Sequence, residues 1–494
     1  MLFNSFQYLL FLPLVVALYW VCGVRYRPLI LLVASYYFYM SWFAAYGLLI
    51  GGLTVVNYLF GLGVAKTSGE GNQRKALFIA GILLNLGSLA FFKYANFLSE
   101  FFFGLGAGFG SAHADIPHWN IVLPLGISFF VFEFIHYLSD VYGGNQPIKD
   151  PLRFALFASF FPSQIAGPIK RYEDFDAQIL HEKRFSPVSF NRGIALVLEG
   201  MFKKVALGDS LAVLVQRGFA STQYLAPCDA WISVLAFALQ IYYDFSGYTD
   251  IGRGSAMLLN IDLPENFNMP YLSASLIEFW RRWHMSLSFW LRDYLYKPLG
   301  GSHGGGLRQN RNLFITMLLG GLWHGAAWHF VFWGAFHGTG LVLNHAWRKF
   351  IGGSSDEGPL IIRVISTLMT FVFVLLGWVL FRADTFELAM LMYKHMFLSI
   401  TPSMQAGFLY EAFGQSFLPA AFSFYVTFQL IRYLYTKRFS NVPQLGQISV
   451  GERISWRFWW TPSSAVMLAS YAGFALVILS LASKKSAPFI YFQF

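Results

Sequence analysis

Apolar residues run along this chain in blocks long enough to cross a lipid bilayer, separated by short polar connections. The blocks fall near 6–24, 28–42, 46–65, 76–97, 119–142, 226–248, 312–349, 360–381, 416–436 and 463–483. At about 20 residues per crossing, and allowing for splits in the longer blocks, this pattern predicts roughly ten to twelve membrane helices. Two regions interrupt it. Residues 143–205 mix short apolar pieces with Pro162, Pro168 and many charges, and residues 249–311 do the same. Neither can cross lipid as a plain helix, because irregular backbone at membrane depth persists only where protein or a water-filled cavity covers it. Short amphipathic or re-entrant helices around a cavity are expected in both. No internal repeat relates the two halves, which counts against the inverted-repeat plan of many transporters.

Composition supports an all-α polytopic membrane protein, with residues 1–494 as one transmembrane domain. Of the 494 residues, 56% are hydrophobic, 19% aromatic and only 12% charged. Soluble chains carry about 25% charged residues. Two cysteines, Cys22 and Cys228, exclude a disulfide framework and form no Cys-x-x-Cys pair. The N-terminal apolar block has no Lys or Arg before Arg25, so it lacks the basic region of a cleaved signal peptide and reads as a retained span.

The net charge of +10 sharpens the orientation. "GVRYRP" and "KTSGEGNQRK" are basic, whereas "ADIPHW" carries an acid and no Lys or Arg. Basic loops favour the cytoplasm, so the N-terminus and the 98–118 loop are expected outside. "KDPLRF", "IKRYEDF", "HEKRF" and "MFKKVAL" then face the cytoplasm. Their charge is explained by anionic headgroups or by an anionic substrate. The basic residues do not gather into one soluble module, so nucleic acid is not an expected partner.

Chemistry concentrates in a few stretches. "MLLGGLWHGAAWHFVFWGAFHG" reads as membrane helix yet carries His324, His329 and His337. Ionisable residues in spans are costly and are functional candidates for that reason. Glycines flank His324, and Trp323 stands beside it. His329 and His337 suit helix-to-helix hydrogen bonds or packing. Their spacing matches no common metal-ligand pattern, and no metal is expected. In "IEFWRRWHMSLSFWLRDYLY", helical spacing puts Arg281, His284 and Ser288 near one face. An interfacial helix with Trp283 and Trp290 at headgroup depth is one reading. The other places Arg281, Arg282 and Arg292 around a phosphate, which guanidinium grips with two donors, and turns His284 toward a cavity. "LQIYYDFSGYTDIGRG" presents Asp244, Ser246, Tyr248 and Asp250, either as a capped polar helix end or as a cavity wall. The glycines of "LGGSHGGGLRQNRN" lack the G-K-[ST] of a phosphate loop, which leaves a flexible connection with His303 exposed.

Together these stretches resemble the membrane-bound O-acyltransferase (MBOAT) superfamily, in its bacterial alginate O-acetylation branch. The resemblance rests on "LPLGISFFVFE" (123–133), "FFPSQIAGPIKRYEDF" (160–175), "YYDFSGYTDIGRG" (242–254), the run 265–301, "RNLFITMLLGGLWHGAAW" (311–328) and the terminal "PFIYFQF". It implies a ring of membrane helices around a thin centre, where a cytoplasmic funnel and an extracytoplasmic opening meet at a histidine. His324 matches the family's central catalytic histidine, and His284 its second recurrent one. The implied reaction takes an acetyl group from cytoplasmic acetyl-CoA for O-acetylation of an extracytoplasmic polysaccharide, across a bacterial inner membrane. D-alanyl transfer to teichoic acid and peptidoglycan O-acetylation are the alternatives within this fold. His324 would act as general base, and His284, Asp244 or Tyr248 would orient it or polarise the thioester carbonyl. Arg281, Arg282 and Arg292 would hold the donor phosphates, and Trp283 and Trp323 would wall the tunnel. The partners implied are an extracytoplasmic acetyltransferase or polysaccharide secretion-complex proteins. A proton-coupled transporter and a non-catalytic secretion scaffold are the competing readings of another class.

Overall fold

The structure, a computed structural model, describes residues 1–67, 71–108, 119–165, 167–181, 183–351, 359–398, 418–427, 465–481 and 489. Every regular element among them is helical. Helices α1 (Phe6–Val21), α2 (Arg27–Met40), α3 (Ala45–Lys66) and α4 (Asn72–Leu89) follow the first apolar blocks. A π turn, Ala90–Tyr94, carries α4 into α5 (Ala95–Gly108), and α6 (Ile127–Tyr142) packs on α3 and α4. Three helices of the described residues are by themselves long and apolar enough to cross a membrane: Ala45–Lys66, Asn72–Phe103 and Leu360–Arg382. Leu9, Leu14, Val33, Leu48, Leu83, Leu368 and Met369 point outward from the helices of this apolar type, as lipid-facing residues do.

The first interrupted region forms short helices, as its composition predicts. They are α7 (Pro151–Ser159), α8 (Tyr172–Leu180) and α9 (Pro187–Met201). Asp150 starts α7 by accepting the Leu152 and Arg153 N–H groups, and Ser186 starts α9 by accepting that of Ser189. A π segment, Phe202–Gly208, joins α9 to α10 (Asp209–Ala220), and α11 (Pro227–Leu258) then runs for 32 residues. It outlasts the apolar block at 226–248 because its polar second half is buried against α9. Glycines make that contact close: a Cβ on Gly247 would stand 2.7 Å from the Gly200 carbonyl oxygen.

The second interrupted region differs from the single helix suggested by its spacing. It holds α12 (Leu276–Arg282) and α13 (Met285–Leu291), broken at Trp283 and His284, and continues as a π turn, Arg292–Tyr296. Arg281, His284 and Ser288 therefore do not share one helix face. Residues 266–268 compete for the backbone at the break. The Asn268 N–H donates to the Arg282 carbonyl at 3.0 Å, and the Met285 N–H donates to the Asn266 carbonyl at 2.9 Å. The Asn266 side chain accepts from the Ser286 hydroxyl at 2.6 Å.

The block at 312–349 is also divided, into α14 (Gly306–His324) and α15 (Trp328–Ile351). Gly325 is extended, and a Cβ there would lie 2.0 Å from the Phe330 ring, so the chain turns where glycine permits it. Helices α16 (Leu360–Arg382) and α17 (Phe386–Phe397) follow, and Leu418–Thr427 and Ala465–Leu481 complete the described helices. The blocks at 416–436 and 463–483 extend beyond the described residues.

Candidate active site

His324 is the last residue of α14, where a helix leaves carbonyl groups without intrahelical partners. The π turn after α4 supplies the donors. Lys93 Nζ donates to the carbonyls of Trp323 at 2.7 Å and His324 at 2.8 Å, and the Tyr94 hydroxyl donates to that of Leu322 at 2.7 Å. A cation at this end also complements the helix dipole. The backbone carrying His324 is thus fixed from three consecutive carbonyls. Its ring is walled by Trp323 (centroids 4.9 Å apart), Trp333 (5.1 Å) and Phe381 (5.2 Å).

His284 is fully buried at the α12–α13 break, with a left-handed φ of 42°. The Phe245 ring meets it edge-on at 4.7 Å. Trp323 neighbours both histidines, 6.4 Å from His284 and 4.9 Å from His324. The paired bonds of Asn266 described above hold His284 in a conformation that few non-glycine residues adopt.

Two cavities approach this centre along α6, one at its start and one near His136. The smaller, of about 130 Å³, is lined by His324, Trp323, Lys93, Trp42 and the Leu123–Phe129 segment. The larger, of about 390 Å³, is lined by His136, Lys170, Arg171, Gln178, Ser286 and Trp290 among others. Helix α2 starts at Arg27 and runs toward Trp42, so the smaller cavity lies away from the first basic loop. The larger opens beside "IKRYEDF". Helix α6 measures the partition. Phe129 borders the smaller cavity and His136 the larger, two turns apart, or roughly 10 Å at 1.5 Å per residue. A bilayer core is about 30 Å thick.

The larger cavity is lined by Lys170, Arg171, Asp174 and Asp262, and Arg171 joins it to a charged cluster just outside that lining. Asp293 accepts from Arg171 at 2.6 Å, from Arg292 at 2.9 Å and from Lys297 at 2.7 Å. Partial burial pushes the Asp293 carboxyl up, but hydrogen bonds and charge from Arg292 and Lys297 overcome this and hold it at about 2. In the cavity wall, Lys170 bonds both oxygens of Glu133. Of the sequence-derived arginines, Arg292 joins this cluster. Arg282 pairs with Glu278 at 2.6 Å on α12, and Arg281 is exposed on the same helix.

Other candidates have partners of their own. Asp244 pairs with Lys204 at 2.6 Å, and Lys204 also holds Asp209 at 2.7 Å. Tyr248 is stacked between Phe3 (4.4 Å) and Phe489 (4.3 Å), the described residue of the terminal motif. Trp283 packs on Phe267 and Trp378, each at 5.0 Å, and Trp378 in turn meets Phe381, so Trp283 stands one ring behind the His324 wall. His329 bonds the Leu380 carbonyl at 3.1 Å through Nδ1. His337 is enclosed by Trp333 at 4.8 Å and Trp280 at 5.2 Å. Among the described residues, no group of three His, Cys, Asp or Glu converges as metal ligands would.

A family model described as MBOAT, membrane-bound O-acyltransferase family, matches residues 145–383, a span that includes both histidines of the centre. Over the full length of both chains, the protein is 38% identical to the probable alginate O-acetylase AlgI of Azotobacter vinelandii. The chain belongs to the membrane-bound O-acyltransferase family. This MBOAT protein is an O-acyltransferase with a polytopic membrane fold. It is 42% identical to the probable alginate O-acetylase AlgI of Pseudomonas aeruginosa, over 80% of this chain and 75% of that one. Similarity to the peptidoglycan O-acetyltransferase of Helicobacter pylori is 37%, over 74% and 73%.

Sequence reasoning passed over Lys93, Tyr94 and Arg171. The signal for Lys93 is plain in retrospect: a lysine inside "SLAFFKYANF", where an apolar run has no need of a charge. Arg171 was visible as a basic residue, but only the fold brings it to Arg292 and Lys297.

Proposed function

We propose that this MBOAT protein moves an acetyl group from cytoplasmic acetyl-CoA across a bacterial inner membrane, in which it is a multi-pass protein, for O-acetylation of an extracytoplasmic, alginate-type polysaccharide. The observation that carries this reading is His324, anchored by Lys93 and opening on one cavity while a second, larger cavity approaches within two helical turns. The donor's pantetheine arm enters the larger cavity, and its phosphates are held by Arg171 in the lining together with Arg292 and Lys297 of the adjoining cluster. The acceptor hydroxyl enters the smaller cavity. His324 takes the hydroxyl proton as the oxygen bonds to the thioester carbonyl carbon, and the carbon–sulfur bond then breaks. The proton passes to the departing thiolate, so the imidazole ends neutral. General base catalysis of this kind contributes about 10² to 10⁴ in rate. His284 acts as the second histidine of the centre. The acetyl group is delivered to the polymer or to an extracytoplasmic acetyltransferase within a secretion complex.

Names of two relatives favour alginate, and the Helicobacter relative keeps peptidoglycan as a second acceptor to test. Reconstituted protein is supplied with labelled acetyl-CoA on one side and an alginate or peptidoglycan acceptor on the other. His324→Ala is expected to lose transfer by about 10²-fold or more while its unfolding profile stays that of the wild type. Wild-type rates from that variant would remove His324 from the reaction.

A further inference from the structure

Three stacked rings stand between the two cavities. Trp290 lines the larger cavity and Trp323 the smaller. Phe132 lies between them, 3.7 Å from Trp290 at 7° and 5.1 Å from Trp323 at 16°. Its position on α6 repeats the order, between Phe129 at one cavity and His136 at the other. The Trp290 ring is anchored by its indole N–H, which donates to the Phe132 carbonyl at 2.9 Å, and Lys93 bonds the Trp323 carbonyl and stands 5.9 Å from its ring. The Phe132 ring has only dispersion to hold it. At the centre of the stack, it can turn aside without breaking a hydrogen bond.

We propose that Phe132 is the gate between the donor and acceptor cavities, with Trp290 and Trp323 as its fixed sides, and that it limits the enzyme to short acyl groups. The proposal rests on the reading above, in which the thioester arrives from the larger cavity and the hydroxyl from the smaller. A thioester carbonyl that reaches His324 must pass the stack. Whatever acyl chain lies beyond the carbonyl must then share about 130 Å³ with the acceptor hydroxyl. An acetyl methyl fits that space beside a hydroxyl, whereas a longer chain overfills it and has to fold back beside the thioester arm into the volume of the Phe132 ring. The bonds made and broken are those of the acetyl reaction: carbonyl carbon to acceptor oxygen forms, carbon–sulfur breaks, and the proton passes through His324 to the thiolate.

The test measures transfer of acetyl and hexanoyl groups from their coenzyme A thioesters by reconstituted protein, each normalised to folded enzyme. Phe132→Ala is expected to raise the hexanoyl-to-acetyl ratio by about tenfold or more, since even single methylenes change discrimination by that order. Phe132→Trp is expected to lose acetyl transfer by a similar factor while still binding the thioether analogue of acetyl-CoA. If Phe132→Ala does not fold, Phe132→Leu supplies a smaller shift in the same sense. Unchanged ratios in folded Phe132→Leu and Phe132→Trp, with active wild-type enzyme and inactive His324→Ala, would overturn the gate and leave the function standing. Wild-type enzyme that transfers neither group would overturn both.

Discussion

Two regions of this protein bury polar side chains, and they do so in opposite ways. Along the contact of α9 and the following π segment with α11, each charge meets its opposite: Lys203 lies 2.6 Å from Asp250 and 3.3 Å from Glu199, and Lys204 lies 2.6 Å from Asp244 and 2.7 Å from Asp209. Around His324 and His284 the walls are aromatic rings, and a cavity reaches His324. The first arrangement is closed. Each lysine is held between two carboxylates, and the glycine contact beside them admits no ligand. The second is open on one side, which a group that exchanges protons with substrate requires. Burial of a polar residue in a membrane protein therefore does not mark a site; what surrounds it does.

Four substitutions and one pH dependence test this difference. Lys204→Met strands Asp209 and Asp244 without their cation, and breaking a buried pair costs about 3–5 kcal/mol. A large fall in thermal stability in detergent is expected, and a variant of wild-type stability with impaired transfer would move the seam into the site. Gly247→Ala forces a Cβ against the Gly200 carbonyl, and overpacking of this kind costs about 1–3 kcal/mol. Its transfer rate per folded molecule should equal that of the wild type. His329→Phe removes the bond to the Leu380 carbonyl, for about 0.5–1.5 kcal/mol, and unfolding rather than kinetics should register it. Arg171→Ala should raise the KM for acetyl-CoA by no more than about fivefold and leave kcat alone, because exposed charge contacts contribute about 1 kcal/mol or less. Asp293, held at about 2, keeps its charge through the whole neutral range. The stability it contributes is present above the ordinary carboxylate range and is lost only as pH falls toward 2, so donor KM should not titrate with this group.

Much of the fold could be read from the chain because lipid imposes a simple rule on apolar runs. The blocks at 46–65 and 360–381 became α3 and α16 almost residue for residue. The interrupted regions were legible as irregular, but their breaks were not. Helical spacing through 277–296 ignores Asn266 and Asn268, distant in sequence, which take the backbone bonds at His284. His324 could be singled out from its glycines, yet nothing local announces Lys93 as the donor to its carbonyl. Asp244 and Tyr248 were grouped with the histidines because acids and phenols in an apolar helix invite chemistry. Their partners, Lys204 and the Phe3 and Phe489 rings, come from other parts of the chain. Pairing between elements sets what surrounds each polar residue, and a single sequence does not display it.

The most direct measurement compares His324→Ala with Gly247→Ala in one proteoliposome assay, reading acetyl transfer from acetyl-CoA per folded molecule. The account predicts that His324→Ala folds and loses transfer by about 10²-fold or more, while Gly247→Ala is less stable and transfers normally. Normal transfer by folded His324→Ala, or loss of transfer by folded Gly247→Ala, would contradict the division between an open histidine centre and a closed charged seam.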